Sequence, residues 1–462
     1  MVGNTVDTII SGAKIITMDA QRRIYMDGAL AIKGNKIVAV GARADVEGKY
    51  QAAEVIDGGR FVITPGFING HIHITGDPLT RNYVPENIHC EPYEKLTKWV
   101  LPRYYAHSSD NEKVSAQLAC LEMLRAGITS FIEAGTIRHL DEVVDGVKSL
   151  GIRGRVGIWV EGRAYDDTVD QQALNHDAIG KLQDEVARFP ADDTELVSAW
   201  PILVGHSTNS DEVWMAAKVL ADANGLGISA HMSPYKEDPD WFLEEYGCRP
   251  IEHLADIGVL GGNVSLTHVV HINEAELNIL AETKTNVVFC PLASLKGGFG
   301  VTKIGRFPEM ADAGINLLLG TDGYDIDILH SARLMSALFK DTHLDQRIFS
   351  AYSTLEMLTV NAAAAMGMSE EIGSLEVGKK ADFACHDIHR PEWRPILSLV
   401  NQLIWTADGR GVHSVWVDGV RVVENYRSTQ IDEDELFLRA QLAAEEVILR
   451  SELPFISPWP VL

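Results

Sequence analysis

The strongest constraint on this chain is an alternation that runs through its middle. Between residues 66 and 323, the apolar segments GFINGHIHI, GITSFIEAG, RGRVGIWVEG, LVSAWPILVGH, GISAHMS, NVSLTHVVH, NVVFCPL and INLLLGTDG are separated by stretches of helical character. Apolar strands alternating with helices are the pattern of βα units around a parallel sheet. Eight such strands predict an α/β fold with a (β/α)8 barrel of the TIM type over residues 65–365, because a barrel of this kind needs about 250 residues. Barrel enzymes carry their chemistry at the C-terminal ends of the strands, so those ends are where reactive side chains are expected.

The flanks follow another rule. Residues 7–64 read as short strands broken at Gly34-Asn35 and Gly58-Gly59, and VHSVWVDGVRVVENYR near the far end carries Asp418-Gly419, a favoured hairpin turn. Residues 1–64 and 366–426 are therefore expected to build one small composite β-sandwich domain, leaving a helical tail over residues 427–462.

Charge narrows the partners. With 40 Lys plus Arg against 65 Asp plus Glu, the net charge of −25 repels phosphate backbones and anionic lipid. Nucleic acid and membrane partners are not expected, and a small molecule is. Cys90, Cys120, Cys248, Cys290 and Cys385 are scattered without a CxxC pair, which suits a reducing cytoplasm. No leader-like segment and no long apolar run is visible, and a homo-oligomer is the default expectation.

His71 and His73 lie two apart at the end of the first strand, so both imidazoles face one side and can hold one ion. His231, His268 and Asp322 stand at three other strand ends, and barrel geometry brings such positions to one point. His71, His73, His231 and Asp322 are the expected ligands of one divalent metal ion. Zinc or cobalt heads the choice, with iron and manganese also compatible with a His/Asp site. Such an ion lowers the pKa of a bound water from 15.7 to about 7. Asp322 is expected to accept that water's proton, and His268 to stabilise the developing oxyanion. Further substrate contacts are expected from His206, Glu133 and Glu161 at strand ends. The long loop after the first strand offers Tyr83, His89, Tyr93, Trp99, Tyr104 and Tyr105 as an aromatic lid, with Tyr83 and Trp99 taken as substrate contacts.

The segments PGFINGHIH, GISAHMS, SLTHVVH, LLLGTDG and GSLEVGKKADFACHD resemble the amidohydrolase superfamily, in this order and over nearly the whole chain. The fourth-strand segment SAWPILVGH ends without a lysine, which resembles the mononuclear branch of cytosine and guanine deaminases and triazine hydrolases. The resemblance implies the same four metal ligands and places His268 beside the bound water.

Two departures from that branch shape the functional expectation. Its deaminases carry a glutamate three residues after the fifth-strand histidine, where this chain has Pro234, with Glu237 the next acid along. A family Ser-Asn pair is replaced by Ala293-Ser294, leaving Ser294 as a candidate contact and implying a moderately apolar substrate. Proline moves no protons. The resulting expectation is a hydrolase that cleaves the carbonyl carbon–nitrogen or carbon–sulfur bond of an N-substituted amide, carbamate, thiocarbamate or urea, similar to the thiocarbamate and phenylurea herbicide hydrolases. The alternatives are a deaminase or dechlorinase of a heteroaromatic ring, or a degenerate barrel that binds metal without catalysis.

Overall fold

The computed structural model describes residues 4–461 except 87–90, 165–167, 193 and 206, together with the backbone alone at 92 and 93. The N-terminal strands are β1 (Asn4–Ile16), β2 (Ile24–Lys33), β3 (Lys36–Ala42), β4 (Tyr50–Asp57) and β5 (Phe61–Pro65). The central strands are β6 (Phe67–Ile72), β7 (Ile128–Glu133), β8 (Arg153–Val156), β9 (Val197–Ala199), β10 (Ile202–Gly205), β11 (Ile228–Met232), β12 (Val264–His268), β13 (Asn286–Phe289) and β14 (Leu317–Leu319). Four more strands follow: β15 (Phe383–Asp387), β16 (Val412–Val417), β17 (Val420–Glu424) and β18 (Arg427–Ser428).

The central strands form two parallel sheets, β6-β7-β8-β9 and β10-β11-β12-β13-β14. The expected fourth strand is cut in two at Trp200-Pro201, and its halves β9 and β10 belong to different sheets. Proline has no N–H to give to a ladder, which accounts for the break. At the other side, the Thr321 and Asp322 N–H groups both donate to the His71 carbonyl at 3.0 Å, bonding the chain after β14 to the end of β6. Close packing at this junction depends on Gly70, where a Cβ would stand 2.9 Å from the Leu319 carbonyl oxygen and 2.6 Å from the Leu318 side chain.

Segments from both ends of the chain do meet, but in one nine-stranded mixed sheet, ordered β18-β17-β16-β15-β5-β1-β2-β3 with β4 paired to β1. β1 makes this possible by its length: Asn4–Ser11 pairs with β4, and Lys14 and Ile15 pair with β5. The hairpin at Asp418-Gly419 forms as expected, both residues having positive φ (49° and 79°). The tail helix runs over Glu433–Ser451, and its Leu436, Ala440 and Ala443 are buried in the same core as helix Ser109–Arg125. No described helix is long and apolar enough to cross a membrane.

Candidate functional site

The strand ends deliver the expected cluster. His71 is the penultimate residue of β6, His73 follows that strand, His231 and His268 sit at the ends of β11 and β12, and Asp322 lies just beyond β14. The ligand atoms of His71, His73 and His231 all lie within 4.8 Å of one another. His73 Nε2 is 3.3 Å from His231 Nε2 and 3.4 Å from Asp322 Oδ1, while His268 Nε2 is 3.7 Å from Asp322 Oδ2. His268 and Asp322 adopt positive φ (78° and 61°), a conformation that bulky residues seldom take and that recurs at functional sites.

What holds the imidazoles explains why they suit a metal. His231 Nδ1 is bonded to the Val204 carbonyl, His71 Nδ1 lies 3.1 Å from Thr267 Oγ1, and His73 Nδ1 lies 3.3 Å from Thr136 Oγ1. Each contact occupies one ring nitrogen and leaves Nε2 for the centre. His71 Nε2 is buried without a hydrogen-bond partner among the described residues, which fits a ligand for a cation. Burial holds the His71 and His268 imidazoles well below their usual pKa, helped by neighbouring histidines. Burial, then the Arg103 charge, brings His73 down to about 3. Neutral imidazoles are the ligand form. Burial followed by the nearby Asp77 carboxylate pushes Asp322 up to about 7; a bound cation would draw it down again.

Several supporting residues escaped the sequence reading. Buried Asn69 accepts the Thr321 N–H at 3.1 Å and donates to Thr321 Oγ1 at 2.7 Å, fixing the approach to Asp322. Gly320 makes room for His71, whose Cβ would be 2.8 Å from a Cβ added there. Asp77, four residues after His73, has a carboxylate oxygen within 4.8 Å of both a His73 ring nitrogen and an Asp322 oxygen. Only that short spacing could have flagged it.

The expected substrate contacts fare unevenly. Glu133 does not present its carboxylate to substrate: it accepts from the Gly135 and Thr136 N–H groups and from Thr136 Oγ1 at 2.8 Å, so it braces the residue that holds His73. Glu161 is exposed and accepts from the Tyr105 hydroxyl at 2.8 Å. Tyr83 donates to the Leu453 carbonyl and packs on Phe455, anchoring the tail rather than a ligand. Trp99 is half-buried and its carbonyl accepts from Arg103. Ser294 is buried one helical turn after Cys290, its hydroxyl without a partner among the described residues. His206, His89 and the Tyr93 side chain lie outside the described residues. Among the described loop aromatics, Tyr104 packs against a histidine of the cluster: its ring centroid is 6.2 Å from that of His73 and 5.9 Å from that of Trp159. Phe299 packs edge-on against His268 (5.4 Å) and against Tyr235 (4.9 Å). Burial, then the Asp322 charge, raises the Tyr235 and Tyr324 hydroxyls, placing both within that carboxylate's electrostatic reach.

Parallel strands whose ends converge as three imidazoles, a carboxylate and a neighbouring histidine define a hydrolase centre for one divalent cation. This chain belongs to the Amidohydrolase family, which matches residues 62–422. It is similar to the 5-methylthioadenosine/S-adenosylhomocysteine deaminase of Thermodesulfovibrio yellowstonii, at 27% identity over 453 residues covering 95% of this chain and 98% of that one. It is likewise similar to the 5'-deoxyadenosine deaminase of Methanosarcina acetivorans, at 29% identity over 456 residues covering 96% and 99%. An adenosine deaminase from Xanthomonas campestris with bound zinc superposes with a TM-score of 0.87 at 25% identity, over 97% and 100% of the two chains. The atrazine chlorohydrolase of Arthrobacter aurescens TC1 shares the fold, with a TM-score of 0.84 at 22% identity over 95% and 100%.

These relatives overturn one expectation and support another. The chain is a hydrolase acting on carbon–nitrogen bonds, but carbonyl cleavage of an N-substituted amide, carbamate, thiocarbamate or urea is not where its likeness lies. Pro234 leaves the position three residues after His231 without a carboxylate, and the Asp77 carboxylate, at the start of helix Asp77–Thr80, lies within 4.8 Å of His73 and Asp322. Glu237, the next acid along, is exposed at the start of helix Glu237–Tyr246.

Proposed function

We propose that this chain is a zinc-dependent hydrolase that removes the amino group from a heteroaromatic ring of the aminopurine type. The observation that carries this reading is full-length similarity to adenosine-type deaminases, combined with the intact ligand set around Asp322. We read the two parallel sheets as one (β/α)8 barrel with its mouth at these residues. The edge-on aromatic pairs Tyr104–Trp159 and Tyr235–Phe299, whose Tyr104 and Phe299 meet His73 and His268, offer apolar walls that suit a planar ring.

His71, His73, His231 and Asp322 would hold the ion, which when bound supplies a water activated near neutral pH. Asp322 takes the proton released as the water's oxygen bonds to the ring carbon, and delivers it to the departing nitrogen. The carbon–nitrogen bond breaks, a carbon–oxygen bond replaces it, and the amino group leaves as ammonia with the water's proton. His268, kept neutral by burial, faces Asp322 and can hydrogen-bond the oxygen as charge develops. The substrate is a small molecule. The four described cysteines, Cys120, Cys248, Cys290 and Cys385, are free, which supports a reducing cytoplasm.

The test is a panel of adenosine-type nucleosides, aminopyrimidines and amino- and chloro-triazines offered to zinc-loaded protein, with ammonia and chloride measured separately. Ammonia from at least one aminated ring is expected. Chloride release alone would assign the dechlorinating chemistry instead.

A further inference from the structure

The proposed reaction needs a group that steers the ring's amino substituent, and Pro234 cannot be that group. Asp77 is built for it. Its Oδ2 accepts from the Tyr104 hydroxyl at 2.7 Å, and its Oδ1 lies 3.4 Å from Arg103 Nη2. Arg103 is itself immobilised, with a side chain 4% exposed that donates to the Thr80 carbonyl, Thr80 Oγ1 and the Trp99 carbonyl. Two glycines leave the space this arrangement occupies: a Cβ at Gly76 would fall 2.4 Å from the Tyr104 ring, and one at Gly323 would fall 2.2 Å from Asp77 Oδ2. Each oxygen of Asp77 accepts one of these contacts, and a carboxylate has about four acceptor sites, so two remain. The side chain is 15% exposed, matching the 14% of Asp322 beside it.

We propose that Asp77 is a substrate-contact residue which accepts an N–H of the ring's amino substituent and so selects rings bearing an N–H donor, with Tyr104 and Arg103 as its positioning residues. This inference rests on the ring-deaminase reading. It assigns Asp77 no place among the metal ligands, because the Tyr104 and Arg103 contacts already orient its carboxylate. A carboxylate oxygen facing an N–H donor gives a strong hydrogen bond, and the same acceptor facing an ether oxygen is left unpaired beside a second acceptor. That asymmetry makes Asp77 a discriminator rather than a general binding surface.

The test compares wild-type protein with Asp77→Asn using two matched probes, 6-aminopurine riboside and 6-methoxypurine riboside. Equilibrium binding to metal-stripped protein is read by tryptophan fluorescence, and kcat/KM and zinc content are read on the zinc-loaded forms. Asp77→Asn should weaken the amino probe roughly 10- to 100-fold in both binding and kcat/KM, leave the methoxy probe within about threefold, and retain zinc. Equal loss for both probes would show a merely structural role, and loss of zinc would show a ligand; either overturns the proposal. If neither probe binds wild-type protein while another aminated ring from the panel is hydrolysed, the comparison passes to that ring and its methoxy analogue. If no ring is bound or hydrolysed, the ring-deaminase reading falls, and this inference with it.

Discussion

Thr136 illustrates how much of the site lies one hydrogen bond behind the ligands. Its hydroxyl donates to Glu133 and meets His73 Nδ1, so the chain Glu133–Thr136–His73 fixes which ring nitrogen faces the centre. Thr136→Val removes that link while preserving shape, and metal affinity measured by chelator competition should fall about 10- to 100-fold. Asp322→Asn should lower turnover by roughly 10²–10⁴ in a steady-state assay while much of the zinc stays bound; substantial residual activity would contradict the role given to this carboxylate. The clustering of His71, His73, His231, His268 and Asp322 was legible in the sequence because each stands at or just beyond the end of an apolar strand. Thr136, Thr267 and Asn69 were not, because a threonine or asparagine near a strand gives no linear sign of which distant histidine or backbone group it meets. Pro234 shows the opposite hazard: the absent glutamate alone points away from ring deamination, while the full-length relatives of the chain are adenosine-type deaminases.

At the scale of elements, the loop leaving β14 carries Asp322 into helix Ile328–His343 and is clasped by His330. Its Nδ1 is 2.7 Å from Asp325 Oδ2 and its Nε2 is 3.6 Å from Asp327 Oδ2. The Asp325 hydrogen bond raises the His330 pKa above its usual value. A histidine raised by folding contributes its stability fully below the unfolded pKa of about 6.5 and loses it as pH climbs through the folded value. His330→Gln should therefore cost stability at pH 6, by about 0.2–1 kcal/mol given the pair's partial exposure, and the gap in denaturation midpoint should close as pH rises. Gly70 sets the other limit. Gly70→Ala pushes β6 off β14 and should cost about 1–3 kcal/mol by overpacking, read as a lower denaturant midpoint. The eight apolar segments and the Asp418-Gly419 hairpin could be read in advance, since they are written in local periodicity and turn chemistry. The division of the fourth strand at Pro201 was visible as a proline but not as a gap between two sheets.

Across the whole molecule, the central strands and the mixed sheet are joined by buried charge. Arg153 of β8 lies 3.2 Å from Asp382, each side chain 2% exposed, and the Asp382 carboxylate also accepts the Asp418 N–H at 2.7 Å. Removing one partner strands the other in the interior, so Arg153→Ala should destabilise by about 3–5 kcal/mol. Calorimetry should show the wild type melting in one transition and the variant losing stability in both parts together. That the two chain ends share a sheet was readable from matching strand patterns. That they form one nine-stranded sheet was not, because it depends on β1 being long enough to pair with β4 and β5 along one edge.

The measurement that bears most directly on the function is the product of an aminated ring incubated with zinc-loaded protein in ¹⁸O-labelled water. The ring should remain intact, with its amino nitrogen replaced by one labelled oxygen and released as ammonia, and the conversion should stop when zinc is stripped and resume when it is restored. Untouched rings alongside cleavage of open-chain carbonyl compounds, or conversion that continues without metal, would contradict it.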